Sequence, residues 1–129
     1  FMERVEPSFD PDTITSVVGY PASMAALARI DPQDPRRALR FETFLGDLEL
    51  ANAFAELSDP QEQRARFEEE QKARAGRGDP VYPIDEALLE DLPGLEGSAG
   101  IALGLDRLFM KCMGNNAVQD GLLCWDEES

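Results

Sequence analysis

The chain of 129 residues holds no histidine, one tryptophan and two cysteines, and only 12 basic residues stand against 26 acidic ones. Without histidine, imidazole acid/base chemistry and the commonest zinc ligand are both excluded. A formal net charge of -14 leaves no footprint for a phosphate backbone, so nucleic acid is not expected as a partner of this piece alone. Cys112 and Cys124 lack C-x-x-C spacing and read as reduced, buried thiols of a cytosolic protein, neither a disulfide frame nor a metal site. No apolar run approaches the roughly 18 residues of a membrane span. The opening FMERVEPSF lacks a basic region and a cleavage pattern, so no signal is expected in it, and without an initiator methionine the chain reads as a piece of something longer.

What is present suffices for one domain spanning residues 1–129. Hydrophobic residues make up 43% of the chain, and a chain of this size buries about 68% of its unfolded surface. The β-branched TITSVVGY (13–20) predicts a strand closed by Pro21, and ASMAALARI (22–30) a short helix. Between residues 36 and 57, alternation breaks at Gly46-Asp47 and then resumes, the pattern of a hairpin with a short turn. Asp59-Pro60 opens a charged, solvated helix that Gly76 and Gly78 end. IDEALLEDL predicts a second helix, GIALG (100–104) a strand, LDRLFMKCMG a third helix, and 122–125 a last short strand.

The hairpin places the first candidate site. With Gly46 and Asp47 as its turn, Glu42, Phe44, Glu49 and Ala51 project together, and Glu42 and Glu49 become diagonal neighbours about 7–8 Å apart. Two carboxylates so placed suit a Mg²⁺ ion shared with phosphates, and the same pattern also suits two glutamates on a solvated face. Asn52, Phe54 and Glu56 share a face by period two, and Glu56 could pair an ammonium beside the Phe54 ring. Simple parity puts these three opposite Glu42 and Glu49. Convergence of all five needs a β-bulge near residues 50–52. In GIALGLDR, Gly100 and Gly104 stand where side chains would block a ligand, and Arg107 falls in the first turn of a helix, where anions are favoured. An ordinary surface pair with an acidic residue is the alternative for Arg107.

RFETFLGDLELANAFAEL, DPQEQRARFEEEQ, YPID and GIALGLDRLFM together resemble, in order and spacing, the C-terminal part of class II lysyl-tRNA synthetases. They are more similar still to the short paralogues of those enzymes, the elongation factor P beta-lysine ligases. VEPSF and YPASMAALA extend the resemblance over the whole chain. It implies an α+β fold, an antiparallel sheet flanked by helices, forming the C-terminal portion of a class II catalytic core. GIALGLDR corresponds to the third signature motif, which gives Arg107 a catalytic role on ATP, with Gly104 in the same site. Glu42 and Glu49 correspond to glutamates that hold ATP and Mg²⁺. Asn52, Phe54, Glu56, Gly100 and Ala102 correspond to the amino-acid pocket, with Glu56 facing the side-chain ammonium.

The activity so implied is ATP-dependent activation of lysine or beta-lysine as an adenylate by a cytoplasmic homodimer. The implied acceptor is a lysine of elongation factor P, with tRNA(Lys) as the alternative; a non-catalytic synthetase-like module is the rival from another class. Ala102 stands where the tRNA enzymes usually have glycine and the ligases alanine, whereas Ala53 replaces the glycine usual in the ligases. The first motif and the F-R-x-E segment of the second do not occur in these residues. Arg40-Phe41-Glu42 is not that segment, so the chain is expected to be a fragment with little activity alone.

Overall fold

A computed structural model describes residues 5–121. The elements are β1 (Ile14–Val18), β2 (Arg40–Leu45), β3 (Leu48–Ala55), α1 (Pro60–Arg77), α2 (Glu86–Asp91), β4 (Ala99–Leu103) and α3 (Leu105–Cys112), with single 3-10 turns between them. The four strands form an antiparallel sheet in the order β1-β2-β3-β4, so the class is α+β as expected. The strand expected at 122–125, and Cys124 with it, lie outside the described residues.

The chain divides into two compact units. The first takes residues 5–17, 41–53 and 101–121 of the described part. At its centre is the β2–β3 turn, where Gly46 has a φ of 59°. A Cβ there would lie 2.9 Å from the Pro11 backbone, so glycine is required twice over, by conformation and by space. Positive φ at the first turn residue alone fits a two-residue type II′ hairpin. Behind the turn Phe44 is buried and meets Phe9, ring centroids 5.4 Å apart. In α3 the buried residue is Met110, while Leu105, Phe109 and Met113 are exposed. Cys112 is exposed too, contrary to the sequence reading. Two positions along a helix are about 200° apart, which turns the thiol away from the face that buries Met110.

The second unit takes residues 18–40 and 54–100. Helix α1 begins where Asp59 accepts from the backbone N–H groups of Gln61 (2.8 Å) and Glu62 (3.2 Å), with Pro60 at the first helical position. It runs through Gly76 and ends only at Gly78, left-handed at φ 77°, where the Asp79 N–H returns to the Arg74 carbonyl at 3.0 Å. Among its residues only Gln63 is buried, and the Glu70–Arg74 pair (3.2 Å) supports the solvated side.

The helix expected over 22–30 is not formed. One 3-10 turn, Ala22–Met24, gives way at Ala26, whose φ is 51°. Tertiary partners take the backbone groups a helix would use: the Arg29 N–H donates to the Ala55 carbonyl (2.8 Å), and the Leu57 N–H to the Leu27 carbonyl (3.0 Å). Arg66 Nη1 donates to the carbonyls of Ala26 (2.7 Å) and Ala28 (2.9 Å). Ala25, Ala28 and Ala38 then form a small buried cluster against which Ile30 and Phe54 pack.

Candidate active site

Register decides which side chains share a face. At the turn Leu45 stands opposite Leu48, and at the far end the Ala55 N–H donates to the Leu39 carbonyl at 2.9 Å. Between these points β3 uses one residue more than β2. Pairing with β4 keeps a single register, from the Gly104 N–H on the Leu50 carbonyl (2.8 Å) to the Glu56 N–H on the Ser98 carbonyl (3.1 Å). The extra residue therefore belongs to the turn end of β3, where Leu50 and Ala51 are both buried and the alternation breaks. This is a β-bulge, and it takes Ala51 off the face of Glu42, so the shared face of Glu42 and Ala51 expected from an unbroken hairpin is not formed. It sets Asn52 opposite Glu42, and Phe54 opposite Arg40. On the β4 side, Ala102 stands opposite Asn52, and Gly100 opposite Phe54.

In the first unit the structure brings Arg107, Glu49 and Gly104 together. Arg107 Nη1 donates to the Glu49 carbonyl at 2.9 Å and lies 3.6 Å from the Glu49 carboxylate. The surface pair allowed by the sequence thus exists, and it joins two of the ATP candidates. Gly104 caps α3 without a side chain of its own, and a Cβ there would come within 3.2 Å of Arg107 Cδ. The space kept open by this glycine receives the stem of Arg107. Glu42 is buried on β2. Its carboxylate and that of Glu49 are hard oxygen donors of the kind Mg²⁺ takes, one or two at a time, with phosphate oxygens completing the shell. No group of three or more metal-ligating side chains occurs among the described residues, so these residues supply at most part of such a shell.

In the second unit Phe54, Glu56 and Gly100 come together. A Cβ on Gly100 would lie 2.6 Å from Glu56 Oε1, so the carboxylate rests directly on the backbone that only glycine leaves bare. No side-chain cation pairs with Glu56 among the described residues. A half-buried carboxylate beside an aromatic ring and a bare strand suits an ammonium on an aliphatic stem.

Sequence reasoning missed Arg40. Its guanidinium carbon lies 4.5 Å from the Tyr20 ring centroid and 5.6 Å from that of Phe54, and Nη1 donates to the Met24 carbonyl at 2.7 Å. The signal was the place of Arg40 two residues before Glu42, which puts both on one face of β2. Clear ionisation shifts lie away from both groups. Arg36 holds the Asp34 carboxyl below its usual range through side-chain hydrogen bonds, and Arg64 does the same to Glu86.

A family model, tRNA synthetases class II (D, K and N), matches residues 4–123. Elongation factor P–(R)-beta-lysine ligase of Enterobacter sp. (strain 638) is 48% identical over 121 residues, covering 93% of this chain and 37% of the relative. The enzyme of the same name from Klebsiella pneumoniae (strain 342) is 45% identical over 119 residues, covering 92% and 37%. That of Salmonella dublin is 45% identical over 121 residues, covering 93% and 37%. The chain spans little more than a third of the length of these curated relatives.

Proposed function

The chain belongs to the class II tRNA synthetases (D, K and N), and we propose that the intact protein activates a diamino acid, lysine or beta-lysine, with ATP. In that step a carboxylate oxygen of the amino acid attacks the α-phosphorus, the bond to the β-phosphate oxygen breaks, and pyrophosphate leaves an aminoacyl adenylate. A lysine side-chain amine of elongation factor P then attacks the acyl carbon of the adenylate; an amide forms, the bond to the phosphate oxygen breaks, and AMP leaves as the amine loses its proton. Residues 1–129 form part of the catalytic domain of a cytoplasmic homodimer.

One observation carries the reading: the Glu56 carboxylate lies on the bare backbone of Gly100, which stands opposite Phe54. That arrangement supports recognition of a substrate ammonium by Glu56, with Phe54 along the aliphatic stem. Within the first unit, Asn52 and Ala102 stand opposite one another on β3 and β4. Ala102 fills space a glycine would leave, and so bears on the choice between lysine and beta-lysine. Arg107 binds the ATP phosphates, exchanging its contact with the Glu49 carbonyl for charge-assisted bonds. Glu42 and Glu49 would hold Mg²⁺, which when bound would screen the phosphate charge.

The test follows label from lysine and from (R)-beta-lysine in the intact protein, offered elongation factor P and tRNA(Lys) in parallel. Label on elongation factor P is the expected result. Label on tRNA(Lys) alone would replace the acceptor, and label on neither would reject the reading.

A further inference from the structure

Arg40 lies outside every role given above, yet its surroundings tie it to the pocket. Its planar cation faces two rings at once, Tyr20 at 4.5 Å and Phe54 at 5.6 Å. Tyr20 is buried, at 3% exposure, so this face of the guanidinium is closed to water. Guanidinium is weakly hydrated and planar, the cation best able to lie between aromatic rings. The 2.7 Å bond to the Met24 carbonyl fixes its remaining freedom and anchors it to the turn at residues 22–24. Phe54 is thus held on one side by Arg40 and on another by the cluster of Ala25, Ala28 and Ala38. Opposite it, Gly100 offers no side chain against the ring.

We propose that Arg40 is a positioning residue for amino-acid recognition: held by Tyr20 and the Met24 carbonyl, it fixes the Phe54 ring against which the stem of the diamino acid lies. The inference rests on the assignment of Phe54 to the amino-acid pocket. A lysine here keeps the charge and loses the flat faces and the fork, so Arg40→Lys retains the function in part. A merely structural role would move both substrates' constants, or neither.

The experiment is ATP–pyrophosphate exchange by the intact protein, with the KM for each substrate measured in Arg40→Met, Arg40→Lys, Tyr20→Leu and Phe54→Leu. Arg40→Met raises the amino-acid KM about threefold to tenfold, as loss of a half-buried cation–π contact implies. The KM for ATP stays within about twofold in the same variant, the margin below which no contact of this strength is lost. Arg40→Lys falls between it and wild type. Tyr20→Leu, which takes one ring from the Arg40 guanidinium, raises the amino-acid KM too, and carries the test if Arg40→Met does not fold. An unchanged amino-acid KM in the Arg40 and Tyr20 variants, with a raised one in Phe54→Leu, overturns the inference alone. An unchanged value in Phe54→Leu removes the pocket assignment and the inference with it.

Discussion

In the unit that carries Arg107, the charges of the candidate site are already engaged: the guanidinium bonds the Glu49 carbonyl and lies 3.6 Å from its carboxylate. In the unit that carries Glu56, no side-chain cation meets the carboxylate among the described residues, and the nearest guanidinium to Phe54 faces rings and a carbonyl. The glycines follow the same division. Gly104 leaves room for the stem of Arg107, whereas Gly100 leaves room for the carboxylate of Glu56. An anion-binding group can exchange one set of acceptors for a stronger one when phosphates arrive. A group that must recognise an ammonium is better left without a cation of its own. The contrast predicts two sets of variants whose effects do not cross.

The strongest break comes from Arg107→Ala. Loss of a preorganised cation aimed at developing phosphate charge costs about 10²–10³ in rate, and the ATP requirement rises while the amino-acid KM holds. Next is Glu56→Gln, which removes a charge-assisted bond of about 1.5–3 kcal/mol and raises the amino-acid KM by roughly one to two orders of magnitude with the ATP constant unchanged. Gly100→Ala introduces a Cβ 2.6 Å from Glu56 Oε1 and displaces the carboxylate. A misplacement of this kind raises the amino-acid KM about tenfold. Measurement of both constants in each variant separates the two regions, and parallel changes in both would merge them.

Smaller effects sharpen the comparison by touching neither site. Asp59→Ala removes the cap of α1 and lowers stability by about 1 kcal/mol, read as a fall in Tm with both KM values retained. The smallest concerns Arg64, which donates to Glu86 and so ties α1 to α2 (Nη1 to Oε1, 3.0 Å). Because Arg64 lowers the folded-state pKa of Glu86, the tie stabilises fully above the usual carboxylate range and is lost as pH falls through the lowered value. Glu86→Gln therefore flattens the acid side of the stability profile by lowering stability slightly at neutral pH and leaving it unchanged below the lowered pKa, which thermal melts across that pH range read directly.

Much of the scaffold was legible because its signals are local. Gly46-Asp47 announces a turn that the backbone then makes, and Asp59-Pro60 and Gly78 bound a helix at the expected residues. Gly76 did not stop that helix, since a glycine within it costs only about 1 kcal/mol against the capping at its ends. The segment 22–30 misled because its partners lie elsewhere in the chain: Leu27 and Arg29 give their backbone groups to Leu57 and Ala55, and Ala26 and Ala28 theirs to Arg66. Parity along β3 could say that a bulge was needed. Only the pairing of β3 with both neighbours shows at which end it lies. Arg40 escaped notice for a similar reason, since Tyr20 and Phe54 are twenty and fourteen residues from it in opposite directions.

The most direct measurement is ATP–pyrophosphate exchange by the intact protein, run with lysine and with (R)-beta-lysine on wild type, Arg107→Ala and Glu56→Gln. The account predicts exchange with at least one of the two, an ATP dependence raised by Arg107→Ala alone and an amino-acid dependence raised by Glu56→Gln alone. Absence of exchange with both amino acids, or an amino-acid KM indifferent to Glu56→Gln, would contradict it.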